Sequence, residues 1–542
     1  MTPETSGMDI DMILRHLKPY GRLQIIQVLV GGILFKFFAS MTFVSTVFIG
    51  WIPPHHCTIP ANATLTETLP GEYIDGVFIP DNCLMYDSLD RNRTVPCTDG
   101  WTYQADGWWT IVTQWDLVCD RDFVSDFSQS LNAVGLLFGS LIFATISDLF
   151  GRKKTVLVTT LLLCVFGVGT GFTPNVYWYS AMRVIAGALL TGIGLSSYVL
   201  VTEIFPVAQR SFGTNLIWIV GLLGQLSMTL LAYYIKDWRY FQMAMNAPLI
   251  ANIAGFWIFH ETIPWLLAKK RGKEAARVFG RVAKFNKVAA PPEIIKKLEA
   301  ETGEGEELSV AEQLKELLPC CKAEQSEDEI GIKVIFQNTK LRMFTIMICV
   351  AWFMNVFIFY GLTLSTASFP GNRFVNYALS ILVELPAYSS CIYILRRFGR
   401  RIPLMVFYIT AGVSLFFTGF VPDKTASGID LTGLIIALNT IGKYCISSAF
   451  SGIYLYTGEL FPTRVRNRAM GLASAVSRVG AVLAPFSVYL SRYYSWLVGV
   501  IFGVLSILTS LLFISLPETG NASMPQTMEE VERMAEKKTE EE

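Results

Sequence analysis

The sequence predicts an all-α membrane protein of twelve transmembrane helices, laid out as two six-helix pseudo-repeats with a disulfide-bearing extracellular loop. Three observations predict it. Hydrophobic residues make up 52% of the 542-residue chain and charged ones only 16%, with a mean hydropathy of +0.43, a composition suited to lipid rather than water. Uncharged runs of about 20 residues, the length a helix needs to cross the hydrocarbon core, recur along the chain. The punctuation between those runs is written twice, roughly half a chain apart.

Five runs are wholly uncharged: Thr155 to Thr173, Ser211 to Ile235, Tyr240 to Phe259, Ile402 to Val421 and Ser495 to Leu516. Such runs are too long for buried strands. Seven more, near residues 25–51, 126–147, 176–205, 343–365, 374–395, 430–457 and 468–490, bring the count to twelve. Basic clusters at 152–154, 269–271, 396–401 and 464–468 fall on alternate connections. The positive-inside rule therefore places these connections and both termini in the cytoplasm, and the expected location is the plasma membrane. The first run is too long for a cleavable signal peptide.

The expected division follows: a cytoplasmic N-terminus (1–24), the first span (25–51), an extracellular loop (52–125), the rest of the first bundle (126–259), a cytoplasmic linker (260–342), the second bundle (343–516) and a cytoplasmic tail (517–542). The loop holds Cys57, Cys83, Cys97 and Cys119, which suggest two disulfides with three connectivities open. It also holds the glycosylation acceptors Asn62 and Asn92, whereas the same motif at Asn521 falls on the cytoplasmic side. In the linker, "AKKRGKEAARVFGRVAKF" and "SVAEQLKELL" read as surface helices joined by the acidic "AETGEGEE".

The duplication rests on three pairs. Glu203 in "TEIFPVAQRSFG" and Glu459 in "GELFPTRVRNRAMG" stand 256 residues apart (459 − 203); "DLFGRKK" from Asp148 and "RRFGRRI" from Arg396 stand 248 apart (396 − 148); Glu261 of "HETIP" and Glu518 of "LPETG" stand 257 apart (518 − 261). One spacing in three places marks a duplicated six-span unit. Repeats of this kind characterise secondary transporters, whose substrate site lies between the halves near the bilayer midplane.

The residues resemble the major facilitator superfamily, through "SDLFGRKK" between spans 2 and 3 and "RVIAGALLTGIG" from Arg183 in span 4. More narrowly, "WDLVCDRD", "DWR" at Asp237, "ELPAY" at Glu384 and "YTGELFPTRVRN" resemble the organic cation, organic anion and carnitine transporter family (solute carrier family 22 type). The departures are Ala144 and Leu149 in the first gate loop, "HETIPWL" in place of a Pro-Glu-Ser signature, and four loop cysteines where relatives often have six. The resemblance implies two half-domains rocking about a central site. Asp148, Arg152, Glu203, Arg210, Glu459 and Arg466 would then pair across the halves in one state and separate in the other, while the competing reading is that they only obey topology. Arg183 matches the superfamily's span-4 arginine, which implies a conformational or proton-related role.

Ionisable groups near the bilayer centre are costly and must face protein or water. Lys36, Arg183, Glu384, Lys443 and Arg478 all lie well inside their spans. By the resemblance, Arg478 occupies the span-11 position that is arginine in anion and carnitine members and aspartate in cation members. A guanidinium there clamps a carboxylate. Lys443 and Lys36 add positive charge; Glu384 neutralises Lys443, neutralises Arg478, or attracts an ammonium, and the residues alone do not choose. Trp352, Phe359 and Tyr360 of span 7 and Phe450 and Tyr454 of span 10 are candidate cavity aromatics, able to receive apolar bodies or quaternary ammonium groups.

The leading expectation is thus a polyspecific secondary transporter of organic anions or zwitterions such as carnitine-like molecules, with a cation transporter as the alternative. A non-transporting receptor or sensor is the reading from another class. Its partners are a small organic ion, the lipid bilayer and a coupling ion or counter-substrate. The zero net charge argues against nucleic acid. No catalytic residue, metal site or cofactor is predicted. The four histidines form no metal spacing or triad, and no phosphate-binding loop for ATP is present.

Overall fold

The computed structural model describes residues 10–302, apart from 19, 61–62, 75–76, 88–92, 106 and 207–208, together with 336–520, apart from 367–368, 370, 423–424 and 426–428, and residue 530. The acceptors Asn62, Asn92 and Asn521, the "SVAEQLKELL" segment and most of the tail lie outside the described residues.

Among the described residues, eleven of the expected spans are helical stretches long and apolar enough to cross a membrane: Arg22–Ile49, Cys119–Phe150, Arg152–Phe172, Val176–Ile204, Asn215–Tyr234, Thr339–Ser365, Arg373–Phe398, Arg401–Thr418, Thr432–Leu460, Arg468–Tyr493 and Trp496–Ile514. These are spans 1 to 5 and 7 to 12. Span 6 changes winding along its length: α-helix at Trp238–Asn246, a 3₁₀ stretch at Ala247–Ala254, then α-helix again at Gly255–Ile258. Pro248 near the start of the tighter stretch cannot donate to the preceding turn, which accounts for the switch. Helix ends also run past the apolar windows. Span 2 is α-helical from Asp122, so Asp122 joins Asp126 on it rather than lying in the loop, and the helix of span 11 starts at Thr463 through its basic residues.

Asparagines start several of these helices: the side chains of Asn175, Asn338 and Asn372 accept from the first backbone N–H groups of spans 4, 7 and 8. Inside the spans, hydroxyls return to their own helix, as Thr155, Thr159 and Thr160 do onto the carbonyls of Gly151, Thr155 and Val156. Spans 2 and 4 approach almost backbone to backbone. A Cβ at Gly135 or Gly187 would fall 2.1 Å from a carbonyl oxygen of the facing helix, the small-residue packing that membranes favour.

Within the first half, span 4 packs on spans 2 and 3, span 3 on span 6, and span 1 on span 5; within the second, span 7 packs on 11, span 9 on 10 and 12, and span 8 on 10. The halves meet where span 2 crosses span 11, span 5 meets span 8, and the end of span 1 meets span 7.

The loop between spans 1 and 2 folds as three antiparallel strand pairs, His55–Cys57 with Trp101–Tyr103, Gly71–Ile74 with Val77–Pro80, and Leu84–Tyr86 with Thr94–Pro96. Of the three connectivities, the structure holds Cys57 to Cys97 and Cys83 to Cys119. The loop is anchored on the first half: Trp109 forms a bridge with Asp237, and the Trp238 indole donates to Gln114 at 2.8 Å. It also reaches the second half. The Arg373 guanidinium stacks on Trp51 at 3.6 Å and on Trp108 at 4.6 Å.

At the opposite end, which we call the linker end, the helix Ile10–His16 packs with Ile263–Ala268, Gly272–Asn286 and Pro292–Ala300 around Ile13, Leu17, Phe279 and Leu298. Buried Asn286 ties them to span 1, donating to Leu17 O and Gln24 Oε1 and accepting from Leu23 N–H.

Candidate functional site

Helical spacing brings the central residues together. On span 7, Trp352, Phe359, Tyr360 and Thr363 follow at seven, eight and eleven residues, and on span 10 Lys443, Phe450 and Tyr454 follow at seven and eleven; each set shares one face. Span 8 is interrupted at Val383, because Pro386 has no N–H for the carbonyl of Leu382, and Glu384 begins its second segment.

Lys443 meets Glu384 at 3.1 Å with both side chains almost fully buried. Its ammonium also donates to Thr363 Oγ1 at 2.6 Å and lies 3.5 Å from the centre of the Phe359 ring. Tyr388, one turn after Glu384, donates to it at 3.4 Å. Of the three roles open to Glu384, the geometry takes the first, partner of Lys443. The aromatics join in a chain: Phe359 stacks on Phe450 (5.2 Å between ring centres), Phe450 meets Tyr454 at a tilt (5.4 Å) and Tyr454 meets Trp352 at a tilt (4.2 Å). Trp352 is held in turn by a 3.0 Å hydrogen bond from its indole to Thr457. Tyr360 faces the other half and meets Phe43 at 5.5 Å.

Arg478 has a different environment. It is half-buried, its Nε has no hydrogen-bond acceptor, and no ion pair involves it among the described residues. Lys36 sits in a π-helical turn of span 1, Gly32–Phe37, with its ammonium 4.4 Å from the Trp218 ring centre. A small cavity of about 40 Å³ lies between the halves, bounded by Phe43 and Thr46, by Gln129 and Asn132, by Tyr360 and Thr363, and by Ala481 and Pro485, with Arg478 outside its lining. Ala481 is one turn beyond Arg478.

Four of the residues expected at the gate, Asp148, Arg152, Glu203 and Glu459, pair within their halves in this state. In the first half Arg152 bridges Asp148 (2.9 Å) and Glu203 (3.3 Å), Thr262 donates to Glu203, and Glu261 accepts from the backbone N–H groups of Arg152 (3.0 Å) and Lys153 (3.2 Å). In the second, Arg400 bridges Glu459 (2.9 Å), Thr519 donates to Glu459 (2.8 Å), and Glu518 accepts from the N–H groups of Arg400 (2.8 Å) and Arg401 (2.9 Å). The repeat is thus atomic, and it names residues that sequence reasoning missed as network members: Glu261, Thr262, Arg400, Glu518 and Thr519. The 257-residue spacing was the signal for Glu261, Thr262, Glu518 and Thr519, and the 248-residue spacing that for Arg400. The ion-pair partners of Asp148, Arg152, Glu203 and Glu459 all lie within their own halves, in place of the expected cross-half pairing. Arg466 donates from Nε to Phe461 O at 3.3 Å, and Arg210 lies exposed at the start of its helix. Buried Arg183 donates to Ser45 Oγ at 3.3 Å, joining span 4 to span 1.

Both corners need glycine. Gly151 (φ +101°) and Gly399 (φ +84°) hold conformations that side chains rarely adopt, and a Cβ on Gly151 would lie 2.3 Å from Glu261 Oε2. Gly151→Ala is therefore expected to lower stability by about 1–3 kcal/mol, read as a drop in the melting temperature of the purified protein, with Gly194→Ala, which meets no neighbouring atom within 4 Å, as the tolerated control.

At the loop end the halves do join through charge. Arg492 of span 11 pairs with Asp126 at 2.8 Å and lies 3.9 Å from Asp122 of span 2, and Tyr493 donates to Asp122 at 3.2 Å. Phe48 of span 1 stacks on Phe374 and meets Tyr377 of span 8. No sequence signal links residues so far apart in the chain.

The comparisons agree with this architecture. A family model described as "Sugar (and other) transporter" matches residues 121–535. The chain is 34% identical over 507 residues to an organic cation transporter protein of Drosophila melanogaster (91% of this chain, 89% of the relative). It is 32% identical over 520 residues to the human organic cation/carnitine transporter 2 (91% and 89%). Among solved structures, an inward-open conformation of the xylose transporter XylE from E. coli superposes with a TM-score of 0.57 at 14% identity, covering 94% of this chain and 98% of that one. With its doubled six-span bundles and matching gate corners, the chain belongs to the sugar (and other) transporter family of the major facilitator superfamily, in the organic cation, organic anion and carnitine branch, and is a membrane transporter rather than an enzyme.

Proposed function

We propose that the protein carries organic anions or zwitterions of carnitine-like build across the plasma membrane by alternating access. One observation carries the reading: Lys443 is met by Glu384, while Arg478, one turn before the Ala481 that lines the inter-half cavity, has no carboxylate partner among the described residues. The centre then holds surplus positive charge, and Lys36 adds to it. A carboxylate entering the cavity supplies the missing counter-charge with the paired hydrogen bonds a guanidinium favours. Relatives named for organic cations and carnitine support an organic ion as the class of substrate.

The charge pattern of the connections supports a cytoplasmic linker end and cytoplasmic termini. On that orientation the state described is closed outside by Arg492, Asp126, Phe48 and Phe374 and released inside. Gate corners complete within each half leave the halves free to separate there. The driving force is a gradient, used through facilitated diffusion, exchange or ion coupling.

A second reading, transport of organic cations, is favoured by the aromatic chain from Phe359 to Trp352, whose faces attract ammonium groups. Uptake into vesicles of a labelled carboxylate, a carnitine-like zwitterion and a quaternary ammonium, each under sodium, proton and counter-substrate gradients, separates the readings. Accumulation of the first two, with mutual competition, is expected. Accumulation of the quaternary ammonium without inhibition by carboxylates selects the second reading, and binding without accumulation of any probe selects a sensor.

A further inference from the structure

The linker helix Gly272–Asn286 divides its faces sharply. Ala275, Ala276, Phe279 and Ala283 are buried in the linker core, while Lys273, Arg277, Arg281 and Lys284 are all exposed, at intervals of four, four and three residues along one stripe. None of the four has an ion-pair partner among the described residues; Glu274, the helix's acidic residue, pairs with Arg271 instead. Phe285, 50% exposed, stands beside the stripe.

The position of that stripe fixes what it faces. Arg281 Nη1 lies 2.8 Å from His260 Nε2, and His260 stands two residues after the end of span 6. The end of span 6 presents Trp257, 76% exposed, and Lys153 donates to the Phe256 carbonyl there. Exposed tryptophan at a span end marks the depth of the lipid headgroups, so the middle of the helix lies about one turn from that level. A basic, acid-poor face with an exposed aromatic at this depth fits an anionic surface.

We propose that Lys273, Arg277, Arg281 and Lys284, with Phe285, form a docking face for anionic lipid headgroups, which hold the linker helices against the bilayer. The attraction is additive over the four charges and weakens as salt shortens the Debye length. The proposal is independent of substrate identity, because its readout is lipid contact rather than uptake.

The test uses the full-length protein in vesicles of phosphatidylcholine alone or with about 20% phosphatidylserine, following amide hydrogen exchange of residues 272–286. The expected result is exchange slowed at least about threefold by phosphatidylserine, an effect removed by 0.5 M salt and by the combined Lys273→Gln, Arg277→Gln, Arg281→Gln and Lys284→Gln variant, but kept by Lys296→Gln/Lys297→Gln on the neighbouring helix. Equal exchange in both vesicles overturns the proposal and assigns the face to another occupant, such as the acidic residues 304–307 of this chain. Should the fourfold variant fail to fold, the salt titration of the unmodified protein decides: protection by phosphatidylserine that persists at 0.5 M salt overturns it as well.

Discussion

Arg478→Asp is expected to lower carboxylate uptake, as kcat/KM, at least about 100-fold and to raise uptake of quaternary ammonium compounds. The size follows from the local charge. Two unit charges about 4 Å apart at an effective dielectric near 20 interact by about 4 kcal/mol, and the substitution turns attraction into repulsion. Truncating one partner of a buried charged hydrogen bond alone costs about 2–5 kcal/mol. Arg478→Lys keeps the charge and loses the fork, and should fall between the two, about tenfold down. The measurement is the anion-to-cation uptake ratio in variants present at the cell surface in equal amounts. A ratio unchanged in Arg478→Asp removes Arg478 from the substrate site.

Lys443→Ala should be the most destabilising single change in the second half. It strands the Glu384 carboxylate, whose side chain is only 5% exposed, without its cation, and breaking a buried pair from one side costs about 3–5 kcal/mol. Lys443→Met combined with Glu384→Gln removes both charges and should recover most of that loss, because the desolvation cost disappears together with the attraction. Melting temperatures of the purified proteins in detergent, with and without a carboxylate ligand, make the comparison. The double variant retains Arg478 and should retain anion preference. If it is stable yet has lost carboxylate uptake, Lys443 contacts substrate directly, and the division of labour between Lys443 and Arg478 is wrong.

Much of the architecture was legible in the sequence, because lipid leaves a chain few choices. An uncharged run such as Ser495 to Leu516 must be helix, since every backbone group has to be satisfied internally. The gate corners were legible as spacings, though not as contacts: Glu261 and Glu518 had equivalent positions, but only coordinates reveal that each carboxylate accepts the first backbone N–H groups of the helix after Gly151 or Gly399. The pairing of Glu384 was undecidable beforehand, because it depends on which faces of spans 8, 10 and 11 turn toward one another. The Arg492 to Asp126 contact was invisible for a related reason: it joins helix ends separated by 366 residues, and neither partner lies in a repeated motif. Span 6 differed from a uniform helix through Pro248, a signal present in the run from Tyr240 to Phe259 and outweighed by its length.

The folded loop is rooted in one half of the molecule, yet it grips a single arginine of the other between two indoles. On the alternating-access cycle proposed above, each turnover lifts the whole folded loop off that rim and sets it back. A binder raised against the seam, touching Trp108 and the neighbourhood of Arg373 at once, would act as a clasp: it would arrest the carrier in mid-cycle without ever entering the substrate path.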